Sequence, residues 1–250
     1  MKRSQIFAAT LATGLLTSTT GMANAQPSFD CTTARTFREK AVCRDRQLAG
    51  LDRDIARAFA SALARFDLAG TAALRKDQRT FLTGIDEGFD RLLSWGHGTE
   101  ATEDELNAAL KNRDGAVADL ADELKRRLDF LKSLEPSRQT PTGTWQNVST
   151  RISVTPKKDT FIVGFDASTF GWTRYNCQFE AGFVMRDGVL RADTAKNLDI
   201  DQDYYNQLAL RQHNATLELR EIVDEKKFNG WTCPHRPELR EVLFAVRSAQ

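Results

Sequence analysis

The sequence predicts an α+β protein: an N-terminal helical domain pinned by a disulfide, then a small antiparallel β-barrel or sandwich. Three observations predict it. Apolar residues recur at three- and four-residue steps from Leu48 to Leu134, the period of helices buried on one face. Beyond residue 143 the period becomes two, in short runs separated by turn residues. Between these regimes lies Pro136-Ser137-Arg138-Gln139-Thr140-Pro141-Thr142-Gly143, with two prolines and no apolar period, which reads as a linker that few contacts should cross. The division is therefore 1–25 as a targeting segment, 26–135 as a helical domain, 136–143 as linker and 144–250 as a β-rich domain.

The first segment has the parts of a secretory signal. Lys2 and Arg3 supply positive charge, residues 6–16 form a short apolar run, and Ala23-Asn24-Ala25 is an Ala-x-Ala cleavage site, so Gln26 should begin the mature chain. The run is too short and too rich in Thr and Ala to span a bilayer core of about 30 Å. Charged residues interrupt every later apolar run, so no stable membrane insertion is expected after cleavage. The expected location is the periplasm or the exterior. A formal net charge of +1 argues against nucleic acid as a partner.

The helical elements follow in order. Thr36 and Glu39 have capping-box spacing, which starts a helix near Phe37. Asp45 caps a second helix, with Leu48, Leu51, Ile55, Phe59 and Ala62 on one face, running to about Phe66. Thr71 restarts a helix whose face is Leu74, Gln78, Phe81, Ile85, Phe89 and Leu92. Residues 95–99 form a glycine-rich loop, and Thr102 with Glu105 repeats the capping-box spacing. One long helix then runs towards Leu134, with Val117, Leu120, Leu124, Leu128 and Leu131 on its stripe and a bend at Gly115.

In the second half, Ile152 and Val154 alternate with polar neighbours, and Phe161, Val163 and Phe165 follow. Cys177, Phe179, Ala181 and Phe183 lead to Asp187-Gly188, a hairpin signal, and then to Val189 and Leu190. Further strands fall at residues 207–211, 216–222 and 242–247. No helical period is long enough to supply crossovers for a parallel sheet. Trp145, Trp172 and Trp231 sit at element edges, where such residues usually plug a small core.

The four cysteines are Cys31, Cys43, Cys177 and Cys233. An even count in an exported chain reads as disulfides. Three connectivities are open. Cys31–Cys43 with Cys177–Cys233 is the simplest, because each bridge stays inside one domain. The competing reading, zinc on Cys177, Cys233 and His235, lacks the close Cys-x-x-Cys spacing of structural zinc sites.

Several of these residues also carry a resemblance. Ser28-Phe29-Asp30-Cys31, Glu39-Lys40-Ala41-Val42-Cys43 and Leu48-Ala49-Gly50-Leu51-Asp52 resemble the N-terminal domain of the LprI lysozyme-inhibitor-like family. Gln78-Arg79-Thr80-Phe81-Leu82 is similar to the family's Gln-Arg-x-Trp-Leu segment, with Phe81 in the Trp position. Arg126, Arg127, Leu128 and Leu131 stand where its closing helix carries Arg-Ile-x-x-Leu. The resemblance covers residues 27–134. It departs at Gly88 and Asp119, which occupy the places of a second cysteine pair. It implies a protein-binding function in the cell envelope, with lysozyme as the partner. Such an inhibitor could set acidic patches on the rim of the cationic enzyme and a basic loop among the carboxylates of its cleft. Charged side chains on the exposed helix faces, such as Arg53, Arg57 and Arg75, are the probes of such a surface.

No catalytic signature stands beside this. His97, His213 and His235 have no motif partner, and there is no nucleophile elbow, zinc helix or phosphate loop. The chain is therefore not expected to be an enzyme and calls for no cofactor. Asp199, Asp201 and Asp203 open like a calcium loop, but Tyr204 and Leu210 replace the required Gly and Glu, so a solvated turn is the expectation. The alternative function is a small-ligand carrier, with a barrel cavity lined by Phe161, Phe165, Phe179 and Phe183.

Overall fold

The computed structural model describes residues 26–93, 102–112, 115–168, 176–193, 208–221 and 242–247. The predicted targeting segment lies outside them. Among the described residues the order is a 3-10 turn, Cys31–Thr33, then five helices and eight strands, so the class is α+β.

The helices begin where their caps dictate. In α1 (Phe37–Arg44), the Thr36 hydroxyl accepts from the Glu39 N–H at 3.2 Å, and the Glu39 carboxylate accepts from Thr36 at 3.3 Å and Arg35 at 2.8 Å. Asp45 ends α1 and opens α2 (Arg46–Leu63), accepting from the N–H groups of Gln47 and Leu48. α2 stops three residues short of the predicted end, and α3 (Leu68–Leu93) begins at Leu68 rather than Thr71. The reason is Asp67, whose carboxylate accepts from the Gly70 N–H at 2.8 Å and so caps the helix earlier. Gly70 also lets Phe66 close in, since a Cβ there would stand 2.8 Å from the Phe66 ring.

The predicted long helix is two helices, α4 (Glu103–Asn112) and α5 (Ala116–Ser133). Gly115 takes φ +59°, which no helix interior contains, so it breaks the run where a bend was expected. The Thr102–Glu105 capping box opens α4. Arg44 ties α4 to α1 by donating to Glu103 at 2.7 Å and Asn107 at 3.0 Å. The Arg44 hydrogen bond holds the Glu103 carboxyl below its ordinary pKa.

Cys31 and Cys43 are bridged, with Cα atoms 5.8 Å apart, as the simplest connectivity requires. The bridge closes a 12-residue separation and ties the 3-10 turn to α1. Its reduction should cost about 3 kcal/mol in the chain-entropy model. Thermal melts with and without a phosphine reductant measure this, and an unchanged midpoint would show that the N-terminal turn contributes nothing to the fold.

Strands β1 (Gly143–Gln146), β2 (Thr150–Lys157), β3 (Thr160–Ser168), β4 (Asn176–Arg186), β5 (Val189–Ala192), β6 (Leu208–His213), β7 (Thr216–Glu221) and β8 (Val242–Val246) form one closed barrel. Each is antiparallel to its sequence neighbours, and β8 closes on β1 through Thr144–Val246, Trp145–Ala245 and Gln146–Phe244. Of the predicted pair, barrel and sandwich, the barrel forms. The Asp187-Gly188 turn has φ of 51° and 73°, the conformation its sequence favours. β1 lies where the sequence showed only a linker end and an edge tryptophan.

Trp145, Ile152, Val154, Val163, Phe165, Phe183, Leu190, Leu210, Leu217 and Leu243 belong to one buried interior cluster. An eight-stranded barrel is just wide enough for side chains to fill it. β8 reads apolar at every position because it is buried on both faces. Leu243 and Ala245 face the interior cluster. Phe244 and Val246 face outward and join the helical core with Val42, Leu48, Leu74, Phe81, Leu128, Leu131 and Leu134.

The 136–143 segment is correspondingly not free of contacts. Arg138 donates to the carbonyls of Thr144 and Val246, each at 3.0 Å, pairs with Glu135, and lies over the Trp145 ring at 5.6 Å. Gly143, at φ +113°, makes room, since a Cβ would stand 2.3 Å from the Arg138 guanidinium. The Glu135 N–H donates to Ala245 O and the Arg247 N–H to Ser133 O, which stitches the end of α5 to β8. The expectation of few crossing contacts is corrected by these bonds.

Candidate functional site

Up-and-down closure puts the β2–β3, β4–β5 and β6–β7 turns at one end of the barrel, together with the start of β1 and the end of β8. The 136–143 segment crosses this end. Trp145 donates its indole N–H to Pro141 O at 2.6 Å, and Gln212 donates to Arg138 O at 3.2 Å. Beside them lies a pocket of about 290 Å³. Leu190 and Leu210, paired across β5 and β6, form its floor. Met185, opposite Leu190, stands on its lip and is 41% exposed. Pro141, Gln139, Gly188, Gln212 and Asn214 complete the wall.

The same end carries a basic projection. β2 runs on to Lys157 after its pairing with β1 ends at Val154, so Thr155, Pro156 and Lys157 pair with β3 alone. Proline is tolerated there because that edge of β2 faces no strand. Residues 155–159 are all exposed, with Lys157 and Lys158 beside Asp159 at the tip. Asn214, on the β6–β7 turn, donates its side-chain amide to Asp67 at 2.8 Å and joins this end to the start of α3. Hydrogen bonds from the Gly70 backbone and then from Asn214 hold the Asp67 carboxyl below its ordinary pKa.

A second constellation is buried. Arg127 on α5 donates to Asp77 at 2.6 Å and Gln78 at 2.8 Å, both on α3, and its guanidinium lies 5.0 Å from the Phe81 ring and 4.8 Å from the Phe130 ring. The Arg127 and Asp77 side chains are 2% and 6% exposed. Burial pulls the Arg127 pKa down, and the Asp77 charge works against that pull. The other oxygen of Asp77 accepts from the Val148 N–H at 2.8 Å, in the β1–β2 turn. Gln78, Phe81 and Arg127 were singled out in the sequence by resemblance, and the fold brings all three together. Asp77, which completes the cluster, was missed; its signal is an acidic residue one position before Gln78 on an otherwise inward-facing helix edge.

The chain matches no family model, no curated protein and no solved structure. The LprI-like reading rests on the residues quoted for it.

Phe165 and Phe183 are buried in the barrel core, ring centroids 6.4 Å apart, and Phe161 packs half-buried against them. The Phe179 side chain, Trp172, Trp231, His97, His235, Cys233 and Asp199, Asp201 and Asp203 lie outside the described residues, as does the Cys177 side chain, although its backbone lies in β4. Ala25 is also outside, and Gln26 is the first described residue. His213 is exposed, 3.5 Å from Glu218. Arg57 is exposed and pairs with Asp54, and Arg75 is exposed, but Arg53 is half-buried with an enclosed, unpartnered Nε, so it is no surface probe. Among the described residues no group of three or more His, Cys, Asp or Glu could hold a metal ion, and no helix is long and apolar enough to cross a membrane.

Proposed function

We propose that this chain is an exported protein-binding module of the cell envelope, periplasmic or secreted, and that by its family resemblance the partner is lysozyme. The observation that carries the reading is the form of the barrel: a core occupied by its own side chains, beneath an exposed basic hairpin tip at Lys157-Lys158. With these side chains inside the barrel, its surface and turns are the parts assigned to function. A lysozyme cleft holds two carboxylates, and a lysine pair on a projecting turn is the complementary element. Binding, not catalysis, is the role assigned. The carrier reading is the alternative; the pocket at the barrel mouth, about 290 Å³, lies just under the range for small-molecule sites, roughly 300–1,000 Å³.

The test is clearing of a peptidoglycan suspension by a c-type lysozyme. The oxidised chain in molar excess at low salt should slow clearing. Lys157→Glu with Lys158→Glu should leave the melting temperature unchanged and lower the association rate about tenfold or more, with a weaker dependence on salt. Folded wild-type protein that neither slows clearing nor binds the enzyme would end the lysozyme reading.

A further inference from the structure

We propose that the barrel mouth is a binding site for an uncharged apolar side chain presented on the backbone of a protein partner. The proposal rests on the protein-binding reading and gives it a contact point. Three features of the mouth specify the occupant.

The first is shape and polarity. The floor is Leu190 and Leu210, each 1% exposed, and the lip is Met185. Leu68 and Met185 are the large hydrophobic residues left well exposed among the described ones, and Met185 borders the pocket. A methionine on a rim is an adaptable apolar surface of the kind binding sites use. About 290 Å³ holds one large aliphatic side chain and part of its backbone, not an extended ligand.

The second is the polar complement. No charged side chain lines the pocket; its polar side chains are the carboxamides of Gln139, Gln212 and Asn214. Each carboxamide nitrogen already donates at least once within the protein. Gln139 donates to Ser137 O at 3.3 Å, Gln212 to Arg138 O and Asn214 O, and Asn214 to Asp67. The three side-chain oxygens accept no hydrogen bond among the described residues. They suit a ligand that donates, such as the peptide N–H groups flanking a side chain. They disfavour a carboxylate or phosphate, for which the lining supplies no cationic side chain. A sugar ring would want an aromatic face, and none lines the pocket.

The third is position. The mouth opens at the barrel end that bears the Lys157-Lys158 tip, so one partner can place acidic groups at the tip and an apolar anchor in the mouth. A central apolar anchor with charged contacts at the rim is the ordinary anatomy of a protein interface.

The chain has three methionines, Met1, Met22 and Met185, so methyl-labelled methionine gives a sparse spectrum in which Met185→Leu assigns the reporter. Titration of the full chain with N-acetyl-leucine N-methylamide should move the Met185 methyl signal saturably. The aspartate counterpart and N-acetylglucosamine should not. Gln139→Trp, at an exposed rim position, should weaken the leucine probe about tenfold or more while leaving the melting temperature unchanged. Lysozyme binding is measured separately on the same two proteins. A leucine response without lysozyme binding upholds the mouth site and ends the lysozyme assignment. Lysozyme binding that Gln139→Trp leaves intact, with no leucine response, overturns the mouth site and leaves the protein-binding reading standing. An equal or larger response to the aspartate or sugar probe overturns the assigned ligand chemistry.

Discussion

Arg127→Ala should destabilise the protein by about 3–5 kcal/mol, among the largest losses any single substitution here can cause. The magnitude follows from what is left behind. Asp77, 6% exposed beside Arg127, would lose its ion-pair partner and keep the Val148 N–H as a donor. Two aromatic rings, Phe81 and Phe130, would face the hole. The pair itself need not be strongly stabilising, because both charges were withdrawn from water to make it. A double variant separates the two ideas. Asp77→Asn keeps an oxygen for Val148, and Arg127→Met refills the space between the rings. Together they should cost clearly less than Arg127→Ala alone, although two buried groups have changed instead of one. Urea unfolding of the three proteins measures it. If Arg127→Ala lies within about 0.5 kcal/mol of wild type, the range of an ordinary surface substitution, the buried cluster is not a structural keystone.

That cluster also shows how far the sequence could be read. Caps were legible because they are local: Thr36 and Glu39 are three residues apart, and their hydrogen bonds form wherever the chain goes. Helix faces were legible for the same reason, and every predicted stripe residue from Val117 to Leu134 is buried. The break at Gly115 was visible as a glycine, but a bend and a break have the same apolar pattern on either side, and only the backbone angle separates them. The hairpin at Asp187-Gly188 was legible from two residues, whereas strand order was not, since closure depends on β8 meeting β1 across a hundred residues. The barrel mouth was not legible at all. Gln139, Gly188 and Asn214 are turn and linker residues whose chemistry becomes a site only when three connections meet. The run Val242-Leu243-Phe244-Ala245-Val246 did carry a signal that went unused: a strand apolar at every position must be covered on both faces.

What covers its outer face sets the second large effect. Phe244→Ala should cost about 3–5 kcal/mol and lower the stability of helices and barrel together. Phe244 is fully buried, and its ring meets Phe66 edge-on at 5.6 Å and Phe130 at 6.3 Å, one residue from the α2–α3 turn and one from α5. Its backbone is meanwhile paired to Gln146 on β1 and Thr216 on β7. The residue thus ties the two parts together: its side chain fills the helical core while its strand closes the barrel. Truncation leaves a cavity that neither half can fill by itself, because α5 is stitched to β8 at Glu135 and Arg247, and Arg138 bridges β1 and β8. Calorimetry of the wild type should accordingly show one transition with calorimetric and van't Hoff enthalpies in agreement, and Phe244→Ala should move that whole transition to lower temperature. Two separated transitions in the wild type, or a variant in which only one of two moves, would show that the helical and β-rich parts are independent units and that the contacts across β8 carry little of their stability.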